Sequence, residues 1–234
     1  MRRRPPLLLA TGALLGLALV AGCSGDQESV SDGRSPDEVM ALAKTTLDET
    51  SGVSISLETT DLPAGVTGVT EASGVGTHPP AFDGSLTVVL AGTALNVPVI
   101  AVDDKVYAQI PLTPGWSDVD PAEYGAPDPS TLMSPDTGFS ALLPATEDLE
   151  EGESVRGGED NKEVLTEFTG TVPDDAVRNI LPGAEGDFDA TYTITADGEL
   201  REAVLRGVFY PDTESMTYTI GFEDYGTEKK ITAP

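Results

Sequence analysis

Three sets of apolar residues that alternate with polar ones, between residues 84 and 110, limit the fold more than any other feature of this chain. A period of two is typical of strands with one buried face, and the turn residues between the sets favour antiparallel neighbours. The sets are Leu86, Val88 and Leu90, then Leu95, Val97, Val99 and Ala101, then Val106, Ala108 and Ile110. Pro98 interrupts the second set and predicts a sheet edge or a bulge at that point. The stretch therefore predicts an antiparallel meander.

A helix is predicted before the first strand. Ser35 can cap this helix, Pro36 suits its first position, and Glu38 can complete a capping box. Its apolar stripe, at helical spacing, consists of Val39, Leu42, Ala43, Thr46 and Leu47. Gly52 is expected to end the helix.

The segments on either side of the meander predict further strands and ordered loops. A strand is expected at residues 53–57, a loop or weak strand at 61–70 and a short strand at 71–77. Residues 111–135 contain six prolines and predict a long ordered loop with short helical turns. A short helix is expected at residues 136–143.

The last third of the chain predicts one more helix among several strands. Residues 147–161 are acidic and indicate a solvated hairpin region. A helix opened by Pro173 would turn Ala176, Val177, Ile180 and Leu181 inward. Strands are expected at residues 163–172, 188–195, 200–209 and 216–225. This order of elements predicts an α+β chain built on a large antiparallel sheet.

Residues 1–22 have the pattern of a lipoprotein signal peptide. Three arginines precede an apolar run at residues 7–20, which is shorter than the roughly 20 residues of a membrane-spanning helix. Cys23 directly follows Ala21 and Gly22, as in the bacterial lipobox, where the cysteine receives a diacylglyceryl group. The alternative is an ordinary cysteine behind a plain signal. We expect a lipidated N-terminus and flexible tether at residues 23–34 and one domain at residues 35–234.

The lipobox interpretation predicts a protein exported to the extracytoplasmic face of the cell membrane, in the cell envelope, and held there by acyl chains such as palmitate. Two or more acyl chains give a stable anchor without a membrane-spanning segment. Cys23 is the only cysteine, so no disulfide within the chain can form and stability must come from a core.

Charge excludes one class of partner. After the predicted signal is removed, 10 basic residues remain against 40 acidic ones. Such a chain repels nucleic acid, and we expect no nucleic-acid partner. The acidity is explained by solubility or a salty habitat, with an acidic binding site as the alternative.

The sequence shows no pattern that supports catalysis. His78, the only histidine, stands before two prolines, and no nucleophile elbow, phosphate-binding loop or metal-ligand spacing is present. We therefore expect no enzyme activity, no metal and no cofactor. What the chain does have is more strand-borne aliphatic side chains than its helices can cover. From the residues alone, an apolar gap and a well-filled core are both compatible with this excess.

Several short stretches, in this order behind the cysteine signal, resemble the actinobacterial LppX/LprA/LprF/LprG lipoprotein family. The likeness covers nearly the whole exported region. The stretches are residues 51–55, 84–88, 103–108, 116–118, 128–138, 196–198 and 224–226. Family members commonly carry glycine where Asp104 stands and tryptophan where Tyr225 stands.

The resemblance implies a strongly curved antiparallel sheet, a half-barrel, with helices packed on its concave face and an apolar cavity between them. Family members bind multiply acylated lipids or glycolipids there, and the cavity mouth follows the strand that matches residues 84–90. Leu86 is therefore the first predicted ligand contact. The other predicted lining residues, with plain core packing as the alternative for each, are Val88, Leu90, Val97, Val99, Phe139, Leu142, Val177 and Ile180.

The hypothesis from the sequence is a membrane-anchored lipoprotein that binds acylated lipids or glycolipids and helps transfer them across the cell envelope, with a membrane transporter as a further partner. The alternative is a structural or interaction lipoprotein with a filled core and no lipid cargo. A cavity of only a few water volumes would favour that alternative.

Overall fold

The computed structural model describes residues 29–124 and 126–234, and these contain a single sheet of eleven strands. The predicted signal peptide and Cys23 lie outside the described residues. The strands are β1 (Gly52–Glu58), β2 (Gly68–Thr77), β3 (Ala81–Leu90), β4 (Thr93–Val102), β5 (Lys105–Ala108), β6 (Ser117–Val119), β7 (Glu147–Gly157), β8 (Glu163–Val172), β9 (Glu185–Thr195), β10 (Leu200–Val208) and β11 (Met216–Glu223). The α-helices are α1 (Pro36–Glu49), α2 (Leu142–Ala145) and α3 (Asp174–Arg178). Short 3₁₀ turns lie at Pro121–Tyr124, Pro129–Met133, Phe139–Ala141 and Glu159–Asn161.

The sheet is made of two meanders that meet at its centre. Its strand order is β6-β5-β4-β3-β2-β1-β11-β10-β9-β8-β7, and all neighbours are antiparallel. The first and last strands, β1 and β11, therefore pair with each other in the middle. Within the described residues the two edges, β6 and β7, are not paired with each other, so the sheet is open.

One face of the sheet is apolar along both meanders. Ile55 of β1 lies opposite Phe222 of β11, and Leu86 of β3 lies opposite Val97 of β4. The other face is rich in hydroxyl groups, from Ser54, Ser56, Ser73, Ser85, Thr87, Thr169, Thr191, Thr193, Thr217 and Thr219. The apolar face must be covered to be stable in water, and the helices lie over it.

The sheet is strongly curved toward its apolar face. Five strands separate β5 from β10 in the sheet order, yet Val106 of β5 and Phe209, just after β10, line one cavity. Right-handed twist of about 20–25° per strand accumulates across such a sheet and contributes to the bend. The predicted α+β fold, with a curved antiparallel sheet and helices on its concave face, is confirmed.

Helix α1 begins with the predicted capping box. The Glu38 backbone N–H donates to Ser35 Oγ over 3.3 Å, and the Ser35 backbone N–H donates to Glu38 Oε2 over 2.8 Å. The helix ends at Glu49, and Gly52 opens β1 instead of ending the helix. Its buried side chains, all in the main core, are Val39, Met40, Ala43 and Leu47. The capping box thus sets where the helix begins, and the apolar stripe fixes which side faces the sheet.

The folded body begins earlier than the sequence predicts. Val30 is fully buried in the main core. Ser29 Oγ lies 2.9 Å from Thr166 Oγ1 of β8 and 3.2 Å from Ser154 Oγ of β7. Residues 29–34 therefore belong to the body, which corrects the predicted tether at residues 23–34. The cause is the aliphatic side chain of Val30, which lowers its free energy by joining the core.

Strand β7 forms one edge of the sheet and is exposed along nearly its whole length. The sequence predicts only a solvated hairpin region there. The structure shows an acidic strand that pairs with β8, with two register irregularities in the ladder. Strand β2 is also longer than the predicted short strand, and the small strand β6 was not predicted.

A half-exposed ion pair links β10 to β8 across β9. Arg201 donates from Nη2 to Glu163 Oε1 over 2.7 Å and from Nε to Glu163 Oε2 over 3.2 Å. This two-pronged hydrogen bond from Arg201 lowers the pKa of the Glu163 carboxyl below its ordinary value. The pair therefore stabilises the fold only while Glu163 is ionised.

We expect a Glu163→Gln variant to be less stable than the native protein by on the order of 1 kcal/mol near neutral pH, because the amide loses the charge-assisted pair. Since the folded-state pKa is lowered, this contribution is complete above the unfolded value of about 4.3 and disappears as the pH falls through the lower folded value. Urea unfolding of both proteins at about pH 7 and about pH 3 checks this, as the difference should shrink at the lower pH. A difference of equal size at both would contradict it.

Candidate functional site

The buried apolar residues form two separate clusters on the concave face. The main cluster joins α1 to the strands at the centre and C-terminal side of the sheet, with Phe168, Tyr192 and Phe222 among its large members. The second cluster lies on the N-terminal meander and consists of Phe82, Val99, Ala101, Val106 and Ala108. Leu86, Val97 and Val119 pack against this second cluster and are only half-buried. The core is therefore divided between the two sides of the bend.

Close packing inside the N-terminal meander depends on small residues beneath two large side chains. A Cβ atom on Gly74 or Gly84 would lie 2.6 or 2.7 Å from Phe82 Cζ, and one on Gly76 would lie 2.6 Å from the sulfur of Met133. Phe82 and Met133 thus lie flat on the strands, and this holds the 3₁₀ turn Pro129–Met133 against the meander. The loop that continues from β6 is positioned in this way.

A cavity of about 780 Å³ lies between the two clusters. Val106 of the second cluster and Val119, which packs against that cluster, form one wall. Ile180, Leu181 and Tyr210, which pack against the main cluster, form the other together with Phe209. This space is open to solvent on one side, and its volume falls in the range of ligand pockets, about 300–1,000 Å³.

The cavity has an acidic rim, contributed by Asp104, Lys105, Asp118, Asp120 and Asp128. Lys105 Nζ donates to Asp118 Oδ2 over 2.8 Å, and this hydrogen bond raises the pKa of Lys105. The Asp120 carboxylate accepts from the Ala122 backbone N–H over 2.9 Å. Asp128 Oδ1 accepts from both the backbone N–H and the hydroxyl of Ser130, each over 2.8 Å. The local turns thus fix where the rim carboxylates lie.

A pair of tyrosines ties the start of β2 to the β10–β11 turn beside the cavity. The hydroxyls of Tyr210 and Tyr218 lie 3.0 Å apart, and the Tyr218 hydroxyl donates to the Val69 carbonyl over 2.5 Å. The Val69 backbone N–H donates to the Tyr210 hydroxyl over 3.3 Å. Burial, followed by the neighbouring Tyr210, raises the pKa of Tyr218 well above its ordinary value. Tyr218 therefore stays neutral and keeps its donor.

We expect a Tyr218→Phe variant to lower the free energy of unfolding by about 1–2 kcal/mol, because the part-buried Val69 carbonyl loses its donor. Urea unfolding measures this difference. Tyr107→Phe is the matched control, since Tyr107 lies on the hydroxyl-rich face and its own hydroxyl makes no hydrogen bond among the described residues. Equal stability of the Tyr218→Phe and native proteins would contradict the role of the tyrosine pair.

The predicted lining residues of β3 and β4 share the concave face. Leu86 lies opposite Val97, and Gly84 opposite Val99. Val99 is buried, while Leu86, Val88 and Val97 are half-buried and Leu90 is 46% exposed. None of these five lines the 780 Å³ cavity, but Leu86 and Val97 belong to the same packed group as its wall residues Val106 and Val119. Their contact with a ligand stays a prediction.

The other four predicted residues lie on the opposite side of the bend. Ile180 lines the cavity. Phe139, Leu142 and Val177 are buried in the main cluster, and the Phe139 ring lies 5.1 Å from the ring of Phe222. The structure thus brings Ile180 to the cavity and places these three in packed core.

Sequence reasoning missed most of the cavity wall. Val106 was recognised as a strand residue only, and Val119, Phe209 and Tyr210 were not singled out. Two short apolar signals were available, Ile180 with Leu181 before Pro182, and Phe209 with Tyr210 before Pro211. Apolar pairs beside a turn are candidates for a cavity edge, because a turn leaves them without strand neighbours on one side.

Two further features of the described residues concern the histidine and the metal-ligating side chains. His78 lies in the β2–β3 turn, with its Nδ1 3.0 Å from the Thr50 carbonyl oxygen. Groups of three metal-ligating side chains are not found among residues 29–124 and 126–234. In the same part of the chain, no helix has the length and apolar character needed to span a membrane.

Known proteins share both the sequence pattern and the fold. Residues 35–233 match the LppX_LprAFG lipoprotein family. The lipoarabinomannan carrier protein LprG of Mycobacterium leprae (strain TN) is 30% identical over 197 residues, covering 81% of this chain and 79% of that protein. The crystal structure of LprF from Mycobacterium bovis has a TM-score of 0.68 at 15% identity, over 88% of this chain and 99% of LprF. That of lipoprotein LppX from Mycobacterium tuberculosis has a TM-score of 0.59 at 18% identity, over 85% of this chain and 100% of LppX. The chain therefore belongs to the LppX_LprAFG lipoprotein family.

Proposed function

We propose that this protein is an exported carrier of acylated lipids or glycolipids, which it shelters between the two halves of its core. The observation that carries the proposal is the 780 Å³ cavity with one wall from each apolar cluster. The relative named as a carrier of lipoarabinomannan supports the same class of function.

Burial of acyl chains supplies the binding free energy. Each methylene removed from water contributes about 0.8 kcal/mol, so a chain of about sixteen carbons contributes on the order of 10 kcal/mol. A membrane offers the chain the same gain, and exchange between membrane and cavity is therefore close to neutral. Lipid flux or a membrane transporter can then set the direction of transfer. No covalent step is needed.

The protein is proposed to work while attached to the membrane. Acylation of Cys23 would hold the body at the extracytoplasmic face, and the folded body starts no later than Ser29. Delivery to a partner in the envelope then needs the mouth of the cavity to be accessible from the membrane surface. The half-exposed apolar strip along β3 and β4 provides a path for acyl chains toward the cavity walls.

The test is extraction of the unacylated protein. A form produced without residues 1–23 keeps every described strand and helix, since these lie within residues 29–234. After purification from its host, and again after incubation with vesicles of diacylated glycolipid, organic extraction and mass spectrometry should recover lipid. A protein that stays free of lipid in both arms would contradict the carrier function and favour a structural role.

A further inference from the structure

Three of the four large apolar side chains that are exposed among residues 29–124 and 126–234 lie at one end of the N-terminal meander. Leu112 is 106% exposed, Leu90 46% and Ile110 36%. Leu90 ends β3, and the other two residues follow β5. Both β3 and β5 are antiparallel to β4, which lies between them, so both end on the side where β4 begins. The three side chains therefore share one end of the sheet, called here the apolar tip.

Leu112 is held in a backbone conformation that favours glycine. The Thr113 backbone N–H donates to the Ile110 carbonyl over 3.0 Å and closes a turn with Pro111 and Leu112 at its centre. Leu112 has a φ of 70°, and a turn of this kind normally has glycine or asparagine at that position. A leucine there strains the backbone and leaves its whole side chain in water. Within the described part of the chain no contact of the side chain offsets these two costs, which points to a contact outside the protein.

The two segments that contain the apolar tip carry no charge, although the chain is acidic. The formal net charge is −27, yet residues 84–102 and 106–117 contain no Asp, Glu, Lys or Arg. Trp116 lies in the same loop as Leu112 and is half-buried. Tryptophan is enriched where a protein meets the boundary between water and lipid. Composition and exposure at this end are thus typical of a surface that enters a membrane interface.

A lipid bilayer fits the apolar tip better than a protein does. Stable protein interfaces bury about 1,000 Å² or more with matching shapes, whereas a turn with one protruding leucine offers little area. A second copy of this chain would also bring its own large negative charge against the first. A bilayer needs no matching shape, and the strength of binding grows with the apolar area that enters it.

We infer that the apolar tip is a membrane contact, separate from the predicted acyl anchor at Cys23, whose three side chains enter the surface of a lipid bilayer. The loop that carries Leu112 joins β5 to β6, the strands that hold the cavity wall residues Val106 and Val119. Docking of the tip brings this wall close to the bilayer and shortens the path of an acyl chain through water. The docking itself is independent of the proposed carrier function, and only its effect on lipid uptake rests on that function.

The test measures binding of the form without residues 1–23 to phosphatidylcholine vesicles, which have no net charge. Vesicle flotation gives the bound fraction, and quenching of Trp116, the only tryptophan, by brominated acyl chains reports contact at the tip. Leu112→Asn should bind at least about tenfold more weakly than the native protein, because one fully exposed leucine no longer enters the bilayer. Asparagine tolerates the positive φ, so this variant should be at least as resistant to urea as the native protein.

Val155→Asn is the matched control. Val155 is the fourth exposed apolar side chain, 55% exposed on β7 at the opposite edge of the sheet. This variant should bind vesicles as the native protein does. A fluorescent diacylated lipid in the same vesicles gives a second comparison. Leu112→Asn should take it up more slowly but to the same final amount, because the cavity is unchanged.

The other outcomes separate docking from lipid carriage. Native binding to vesicles by Leu112→Asn would overturn the assignment to the apolar tip, and an equal loss in Val155→Asn would show that exposed apolar area in general is responsible. If the native protein did not bind the vesicles at all, membrane docking would be overturned, while the extraction experiment would still decide the carrier function. Native uptake rates in a variant that no longer docks would overturn the role of docking in lipid transfer.

Discussion

An Ile180→Trp variant is expected to retain at least about tenfold less lipid than the native protein while remaining folded. Ile180 is half-buried and lines the cavity, so the larger indole fills space that an acyl chain would occupy. Excluding two or three methylenes removes about 2 kcal/mol of burial at ~0.8 kcal/mol each, and 1.4 kcal/mol is a factor of ten. Because the indole can expand into the cavity, the fold should lose less than the 1–3 kcal/mol typical of overpacking a filled core.

The measurement is the amount of lipid per protein after extraction, with circular dichroism as the check on folding. Val204→Trp, on the hydroxyl-rich face of β10, is the matched control and should retain native amounts. Leu86→Trp extends the experiment to the predicted mouth along β3. Normal lipid in Leu86→Trp would show that the mouth lies elsewhere, and normal lipid in Ile180→Trp would show that this cavity is not the lipid site.

Truncation of Phe168 is expected to give the largest loss of stability. Its side chain is fully buried on β8 opposite Tyr192 of β9, in the main cluster. Phe168→Ala should lower the free energy of unfolding by about 3–5 kcal/mol, because it removes apolar burial and leaves a hole. A loss of this size is a large fraction of the roughly 5–15 kcal/mol that holds a typical domain folded.

Urea unfolding measures this loss, and Thr169→Ala is the neighbouring control. Thr169 points to the hydroxyl-rich face, so its truncation should change stability by no more than about 0.5 kcal/mol. If Phe168→Ala and Thr169→Ala had similar small effects, the main cluster would not be the principal source of stability.

The elements with strong local signals could be predicted from the sequence. Helix α1 has a capping residue at Ser35, its partner Glu38 and an apolar stripe, and all three act within one or two turns. The edge or bulge predicted at Pro98 is wrong, because β4 is an inner strand and its ladder with β3 runs through Pro98 without a register shift. The β4–β5 ladder ends at Val99, and the Pro98 carbonyl accepts from Gln109 just beyond it. Pro98 therefore lies just past the end of β5, where its missing N–H interrupts no pair of the β4–β5 ladder.

The cavity wall could not be predicted, because it depends on the bend of the whole sheet. Val119 and Phe209 are 90 positions apart in the sequence and lie in different halves of the sheet, and only curvature brings them together. Apolar periodicity identifies a buried face but gives no distance between two such faces. For the same reason Val177 and Ile180, equivalent by helical spacing, differ in the structure, with Val177 in packed core and Ile180 at the cavity.

The bounds of β7 were not predicted within the expected solvated hairpin region, because this strand lacks the apolar alternation from which strands are delimited. It forms because the backbone of β8 offers hydrogen-bond partners along its length. Whether a segment becomes a strand depends more on its neighbours in the sheet than on its own residues.

The acidic edge formed by β7 has a consequence for self-association. An open sheet exposes unpaired N–H and C=O groups at its margins, where a second molecule could add its own strand. The side chains of β7 include Glu147, Asp148, Glu150, Glu151 and Glu153, and its ladder with β8 contains two irregularities. If the β7 edges of two molecules came together, carboxylates would face carboxylates. The irregular backbone of each edge would also hinder a regular ladder of hydrogen bonds between them. Pairing of β7 with the β7 of a second molecule is therefore disfavoured even at high density on a surface, and acidification should weaken that protection.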